Sequence, residues 1–142
     1  MKRAATAAAL AAVAFAPTAH ATPAEGDIER TDLAKGTTQA PVVVVSVGQP
    51  TTLYVQDLVL NDVASSGWHT HPGPEYTVIN DGTVFVQSAP DCAPIAYGKG
   101  QAVFIPAGVP HVVRSEADAH AVVTYTVPAE RPVRDDAPAA CP

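Results

Sequence analysis

The stretch GWHTHPGPEYTVINDG, residues 67–82, places two histidines one residue apart and a glutamate four residues after the second. Successive side chains of a β-strand point to opposite faces, so His69 and His71 share a face in an extended chain. Glu75 has the same parity, although the intervening Pro72-Gly73-Pro74 is expected to bend the chain. Two imidazoles with a nearby carboxylate can hold a transition-metal ion if another strand supplies a further ligand.

A β pattern surrounds this stretch from Ala40 onward. The predicted strands are PVVVVSV (41–47), TTLYVQDLVL (51–60), EYTVIN (75–80), TVFVQS (83–88), IAY (95–97), QAVFIP (101–106), HVVRS (111–115) and HAVVTYTV (120–127). About eight short strands separated by proline and glycine, without a convincing helix, predict an all-β protein built as an antiparallel sandwich or barrel.

The dipeptide Asp81-Gly82 separates two of these strands and predicts a type I′ hairpin. With Glu75 directed inward, that hairpin is expected to pair Thr77 with Val86 and Ile79 with Val84 on the same largely apolar face. The opposite face carries Val78 and Phe85, and we expect it to be covered by the N-terminal strand or by a second subunit.

The further ligand is predicted in GKGQAVFIPAGVPHVVRS, residues 98–115. Its PAGVP segment predicts a tight turn that delivers His111 to the start of the next strand. Three of the four histidines beyond residue 21 therefore fall in the two stretches. The fourth, His120, is expected to face solvent at the start of the last strand.

Together the two stretches resemble the two motifs of the cupins. The first cupin motif is matched by His69, His71, Glu75 and Gly82, and the second by Gly100, Pro106, Gly108 and His111. Two positions depart from the motifs: Val63 stands where the family has glycine, and Ser115 where it has asparagine. Neither position binds metal in the family, so these departures concern turns rather than the metal site.

The resemblance implies a jelly-roll barrel, the double-stranded β-helix of the cupins. It also implies one divalent transition metal (Mn, Fe, Ni, Cu or Zn) held by His69, His71, Glu75 and His111. Glu75 is in addition the candidate catalytic acid or base, with the tyrosines Tyr54, Tyr97 and Tyr125 as further candidates that the sequence leaves unassigned.

The resemblance leaves three functions open, because cupins host all of them. The first is a metal-dependent oxidoreductase of the dioxygenase type that acts on a small chelating molecule. The second is an isomerase or decarboxylase that uses the metal as a Lewis acid. The third is a non-catalytic module that binds metal or a small ligand. The expected partner is a small molecule, and a homodimer is a further expectation.

The two ends of the chain are expected to differ from the cupin domain at residues 40–127. Residues 1–21 have a basic start, an alanine-rich apolar run and the small-residue sequence Ala19-His20-Ala21, which predicts a secretory signal peptide cleaved after Ala21. Residues 22–39 predict a flexible segment, and residues 128–142 form a proline-rich tail.

The chain contains two cysteines, Cys92 and Cys141, which in an exported protein predict a disulfide. Such a bridge would tie the tail to the body and stabilise the fold by roughly 4 kcal/mol. Without residues 1–21, which include two basic and no acidic residues, six Lys and Arg face fourteen Asp and Glu, a formal charge of −8. That charge disfavours nucleic acids and anionic membranes as partners. The predicted signal peptide leads us to expect a secreted or extracytoplasmic protein.

Overall fold

A computed structural model describes residues 32–40, 42 and 50–142. These residues contain eleven β-strands and no helix. The strands are β1 Thr37–Thr38, β2 Thr51–Leu60, β3 Ala64–Ser65, β4 His69–Thr70, β5 Glu75–Asp81, β6 Thr83–Ser88, β7 Ile95–Gly98, β8 Gln101–Ile105, β9 His111–Ser115, β10 Ala119–Pro128 and β11 Asp135–Asp136. The all-β prediction is confirmed.

The strands form two sheets. One has the order β1-β8-β5-β10-β2, and the other has the order β11-β4-β9-β6-β7, with β3 paired to β9. Except for β1, which lies parallel to β8, neighbouring strands are antiparallel. Consecutive strands repeatedly change sheets, as in a jelly roll.

The space between the sheets is filled by alternate side chains of the strands. In β5, the inward residues Glu75, Thr77 and Ile79 are buried, while their neighbours are partly exposed. The core cluster contains Leu60, Ile79, Val84, Val86, Val103, Ile105, Val113, Ala119 and Ala121. Valine and isoleucine predominate because their branched side chains pack well on a pleated surface.

The predicted hairpin between β5 and β6 is wrong. β5 pairs with β8 and β10, whereas β6 pairs with β7 and β9, so the two strands belong to different sheets. Gly82 has φ of +71°, but Asp81 is not in the left-handed region that a type I′ turn requires. A Cβ at Gly82 would lie 2.4 Å from the Asp118 carbonyl oxygen, so the crossing between sheets requires glycine.

The predicted direction of the side chains nevertheless agrees with the structure. Thr77, Ile79, Val84 and Val86 are all buried, although their cross-strand partners differ from those expected. On the outer face, a Cβ on Gly36 would lie 3.1 Å from Cγ1 of Val78, so the N-terminal segment covers part of this face.

The ends of the described chain are partly ordered by strand pairing. Within the predicted flexible segment, β1 pairs with β8, and within the predicted tail, β11 pairs with β4. The predicted signal peptide and almost all of the strand predicted at 41–47 lie outside the described residues. The described residues contain no helix that is long and apolar enough to cross a membrane.

Cys92 and Cys141 form the predicted bridge, with their Cα atoms 5.5 Å apart. It closes a sequence separation of 49 residues and joins the tail to the loop after β6. The tail is therefore held at both β11 and its end.

Candidate metal centre

Strand register brings the predicted ligands together at one end of the barrel. His69 in β4 lies opposite His111 in β9, so their side chains start from adjacent positions. The chain then turns at Pro72-Gly73-Pro74 and enters the other sheet at Glu75. A Cβ on Gly73 would lie 1.8 Å from the Thr126 carbonyl oxygen, so this turn packs directly against the backbone of β10.

The four side chains form a compact, buried group. His69, His71, Glu75 and His111 are each at most 5% exposed. One potential ligand atom from each residue lies within 4.8 Å of the others. This span is close to the distance of about 4 Å across an ion with ligand bonds near 2.1 Å. The group could therefore hold one metal ion.

Hydrogen bonds fix the ring orientation of all three histidines. Nδ1 of His69 lies 2.8 Å from the Gly67 carbonyl oxygen, and Nδ1 of His111 lies 2.9 Å from that of Val109. Nδ1 of His71 lies 2.5 Å from the Val133 carbonyl oxygen. A carbonyl oxygen can only accept, so each Nδ1 donates, and in the neutral form of a ring this leaves the Nε2 lone pair free to bind a metal.

Glu75 adds a negative charge to this arrangement. Its Oε1 accepts a hydrogen bond of 2.6 Å from the Thr77 hydroxyl. Burial alone would raise the pKa of Glu75, but His111 and His71, when they donate a proton from Nε2, and the Thr77 hydroxyl lower the pKa to about 2. The carboxylate is therefore ionised at neutral pH.

The surroundings of the second carboxylate oxygen of Glu75 show whether the group suits a metal ion. Oε2 of Glu75 lies 3.0 Å from Nε2 of His71 and 3.2 Å from Nε2 of His111. All three atoms are buried without a hydrogen bond. With neutral rings, each atom presents a lone pair and none supplies a proton, an arrangement that is unfavourable unless a cation lies among them. The donor set of three imidazoles and one carboxylate fits a divalent transition metal.

His69 is held in the neutral form that metal binding requires. Burial lowers the pKa of His69 to about 4, and the neighbouring His111 and Arg134 act in the same direction, whereas the hydrogen bond to Gly67 opposes them. At neutral pH the imidazole is therefore uncharged and available as a ligand.

A cavity of about 330 Å³ opens onto His69, His71 and Glu75. Its walls include apolar side chains from β2 and β9, namely Leu58, Leu60 and Val113. Tyr125 and Arg134 supply polar groups to the same cavity. This volume and lining suit a small organic molecule bound beside the metal group.

Tyr125 lies directly beside the metal group. It is the cross-strand neighbour of Glu75, and its ring centroid lies 4.5 Å from that of His71. Burial raises the pKa of Tyr125, and the Glu75 carboxylate raises it further. The phenol is therefore neutral across the physiological pH range. Of the three tyrosines considered from the sequence, Tyr125 alone lines this cavity, whereas Tyr97 packs against the core.

The structure places the other singled-out residues away from the metal group. His120 bonds to Asp57 on β2 and is partly exposed, with 38% of its side chain accessible. Ser115, which replaces the motif asparagine, donates a hydrogen bond of 2.9 Å to the Asp62 carbonyl oxygen. Val63, which replaces the motif glycine, is exposed. Val63 lies in the turn between β2 and β3, and Ser115 ends β9 and bonds to that turn, so both departures are outside the metal group.

Sequence reasoning missed three contributors to the site. The sequence predicts Thr77 only as part of an apolar face, whereas its hydroxyl bonds to Glu75. Val133, which bonds to His71, and Arg134, which lines the cavity, both belong to the proline-rich tail. Cys141 was the available signal, because a bridge to the body predicts an ordered tail. It did not indicate that the tail passes over the metal group.

Family comparison agrees with the fold. A sequence model described as "Cupin domain" matches residues 58–127, which contain all four metal-group residues. Solved structures of cupins share the fold. The chain belongs to the cupin superfamily. No curated protein gives a significant match to the sequence.

Several solved structures resemble this cupin. The DMSP lyase DddQ from Ruegeria pomeroyi DSS-3 is 24% identical with a TM-score of 0.54, and the alignment covers 59% of this chain and 42% of DddQ. The polyketide cyclase RemF from Streptomyces resistomycificus is 19% identical with a TM-score of 0.54, covering 65% and 64% of the two chains.

A cupin-like protein from Thermotoga maritima is 22% identical with a TM-score of 0.53, covering 60% of this chain and 64% of that protein. The cupin thus spans less than half the length of the lyase and under two thirds of the other two. At these identities the comparisons show a shared fold.

Proposed function

We propose that this cupin is an exported, metal-dependent oxidoreductase of the dioxygenase type that acts on a small chelating molecule. The observation that supports this most directly is a group of three buried atoms without hydrogen-bond partners beside the cavity of about 330 Å³. They are Nε2 of His71, Nε2 of His111 and Oε2 of Glu75. Three imidazoles and one carboxylate would hold a divalent transition metal beside this cavity, which has room for a small chelating substrate. Bound there, a redox-active metal would supply the electron transfer that dioxygen activation requires.

The residues around the cavity suit such chemistry. Leu58, Leu60 and Val113 exclude water from the bound molecule, which strengthens electrostatic interactions within the site. Arg134 lines the cavity and pairs with Asp136, and its remaining N–H donors can bind an oxygen of a diol or diketone. Glu75 stays ionised and would contribute the negative charge of the metal-binding group.

The first test is the metal content of the mature protein beside His111→Ala prepared identically. We expect close to one redox-active transition-metal ion per chain, and its loss from the variant. Oxygen uptake with diols and diketones is then measured on the iron-, copper-, nickel- and manganese-loaded forms. Labelled dioxygen should deliver both atoms to the product. Metal-loaded protein that consumes no oxygen with any of these substrates would contradict the oxidoreductase proposal.

A second candidate is a Lewis-acid lyase or isomerase, which the position of Tyr125 favours. A neutral phenol beside Glu75 and over the ring of His71 can donate or relay a proton to a bound substrate. Zinc content with no oxygen consumption, together with turnover that Tyr125→Phe abolishes, would favour this reaction class. Metal binding without turnover of any substrate would favour the non-catalytic binding module.

We also propose export through the predicted signal peptide at residues 1–21. The disulfide between Cys92 and Cys141 supports this proposal, since structural disulfides persist in oxidising compartments. Cell fractionation and N-terminal sequencing are the test. We expect a mature protein outside the cytoplasm that begins at Thr22, and an unprocessed cytoplasmic chain would contradict it.

We further propose a homodimer. Leu53, Val55 and Val59 on β2 are each more than half exposed and lie on one face of a strand at the end of its sheet. Apolar patches of this kind often mark interfaces. Light scattering of the purified protein and of Leu53→Asp tests it, since a dimer through this face should dissociate in the variant.

A further inference from the structure

The hydrogen bonds that orient the three histidines of the metal group join residues at very different separations along the sequence. Gly67 and Val109, which orient His69 and His111, each lie two residues before their histidine. The carbonyl that orients His71 belongs to Val133, which is 62 residues away. Two ring orientations are thus fixed within local turns, and the third depends on the C-terminal tail.

The tail makes further contacts to the strand that carries His69. We define residues 131–141 as the strap. Its strand β11 pairs with β4, and Asp136 lies opposite His69. On either side of this pairing, the Arg134 guanidinium donates a 2.8 Å hydrogen bond to the Ser66 carbonyl, and the Ala137 amide donates one of 3.0 Å to the Trp68 carbonyl. The strap therefore lies along residues 66–70, the segment that contains His69 and precedes His71.

The strap ends in a covalent bond to the loop after β6. β11 is only two residues long and lies at the end of its sheet, and so short a strand is marginal by itself. The Cys92–Cys141 bridge confines the strap beside β4 and raises its effective concentration there. The cupin match ends at residue 127, so the strap lies outside the family domain.

We propose that the strap is a positioning element of the metal centre: it holds His71 in the tautomer that binds metal, and the Cys92–Cys141 bridge maintains it there. Metal affinity consequently depends on a disulfide that contacts none of the ligands. This inference rests on the proposed metal site. Partners that orient metal-binding histidines typically contribute 10–100-fold in affinity.

The test compares the mature protein with the double variant Cys92→Ser/Cys141→Ser, which opens the bridge without leaving a free thiol. Zinc affinity is measured by competition with a chromophoric chelator, at a temperature where both proteins are folded. We expect the double variant to bind zinc at least about tenfold more weakly. Val84→Ala, a buried substitution in β6 on the core side of the barrel, controls for general destabilisation and should bind within about twofold of the parent.

A second readout examines the histidines without metal. Long-range nitrogen–proton NMR spectra of the metal-free proteins, recorded near pH 8, distinguish the two tautomers of a neutral imidazole. In the parent, all three rings should carry the proton on Nδ1. In the double variant, His71 should exchange between tautomers, whereas His69 and His111 should keep their signals because their acceptors are local.

The two readouts separate this inference from the proposed function. If the double variant binds zinc as tightly as the parent and its His71 signals are unchanged, the strap has no positioning role. Loss of the Nδ1 form at all three histidines would indicate general unfolding, and it would also overturn the proposed positioning role of the strap. If no form binds metal, the proposed function fails, and the His71 signals alone decide the role of the strap.

Discussion

The two halves of the barrel interior are built on opposite principles, although the same strands run through both. Along β5, the inward residues pass from Glu75 through Thr77 to Ile79 within five positions. Around Ile79 the interior is a cluster of valine, leucine and alanine that needs no partner beyond close packing. Around Glu75 it consists of imidazoles and a carboxylate, each oriented by a specific hydrogen bond.

This difference indicates which half stabilises the fold and which performs its function. Burying apolar side chains favours folding, whereas burying Glu75 beside the Nε2 atoms of His71 and His111 is unfavourable without a cation. We call the interior around Glu75 the metal half and the interior around Ile79 the apolar half. Substitutions in the metal half should therefore change metal binding more than stability. Substitutions in the apolar half should do the reverse.

The largest expected effect is that of Glu75→Gln on metal affinity. The substitution keeps the shape of the side chain but removes its charge, so we expect zinc to bind at least about a hundredfold more weakly, roughly 3 kcal/mol or more. In the metal-free protein, however, the new amide can donate to the unpaired Nε2 atoms of His71 and His111. Thermal melts of the metal-free forms should show a melting temperature equal to or above that of the parent. A variant that is less stable and still binds metal would contradict this account.

Ile79→Ala should produce the opposite result. Ile79 is 1% exposed in the core cluster, and removing its side chain is expected to destabilise the fold by about 2–5 kcal/mol. Zinc affinity of the folded variant should stay within about twofold, because Ile79 is neither a member of the metal group nor a hydrogen-bond partner of its side chains. Urea unfolding and chelator competition on the same preparations measure the two quantities. A large loss of affinity would show that the two halves are coupled.

Acidification should destabilise the metal-free protein through the metal half. Burial lowers the pKa of His69 to about 4, so between pH 6.5 and 4 the unfolded chain binds a proton that the folded chain does not. The contribution of His69 is complete above pH 6.5, and roughly 2–3 kcal/mol is lost as the pH falls toward 4. The lowered pKa of Glu75 adds a further loss below pH 4.5.

Urea unfolding of chelator-treated protein across this pH range measures the effect. His69→Gln is the matched variant, because glutamine does not titrate and should flatten the dependence between pH 6.5 and 4. An identical pH dependence in parent and variant would show that His69 does not titrate as described. In the metal-loaded protein the loss should be greater, since protonation and metal compete for the same nitrogen.

The sequence predicted the metal half better than its surroundings because its signals are local. His69, His71 and Glu75 lie within seven residues, and His111 follows a turn that its own prolines and glycine specify. The all-β fold was equally accessible, since valine-rich runs between prolines and glycines recur along the chain. The contributions of Val133 and Tyr125 could not be predicted from the sequence, because each depends on which distant strand or segment lies beside the site.

The erroneous hairpin has the same origin. Asp81-Gly82 between two strands is a strong local signal for a two-residue turn, but it does not specify that the next strand pairs with its predecessor. In a double-sheet fold, the chain can use the same glycine to cross between sheets, and the structure shows this at Gly82. The inward pattern of the side chains was correct because alternation along each strand is independent of its partner.

The smallest expected effect concerns Thr77, which lies at the boundary between the two halves. Its hydroxyl donates to Oε1 of Glu75, so Thr77→Val removes one hydrogen bond while preserving the shape of the side chain. The added methyl suits the apolar half, whereas the carboxylate loses a buried partner; we expect metal affinity to fall by up to about tenfold, roughly 1 kcal/mol. Exposed Thr83 provides the control Thr83→Val, which should leave zinc binding unchanged in the same competition assay. If Thr77→Val binds zinc like the parent, the boundary between the two halves lies at Glu75 itself, and Thr77 belongs to the packed core.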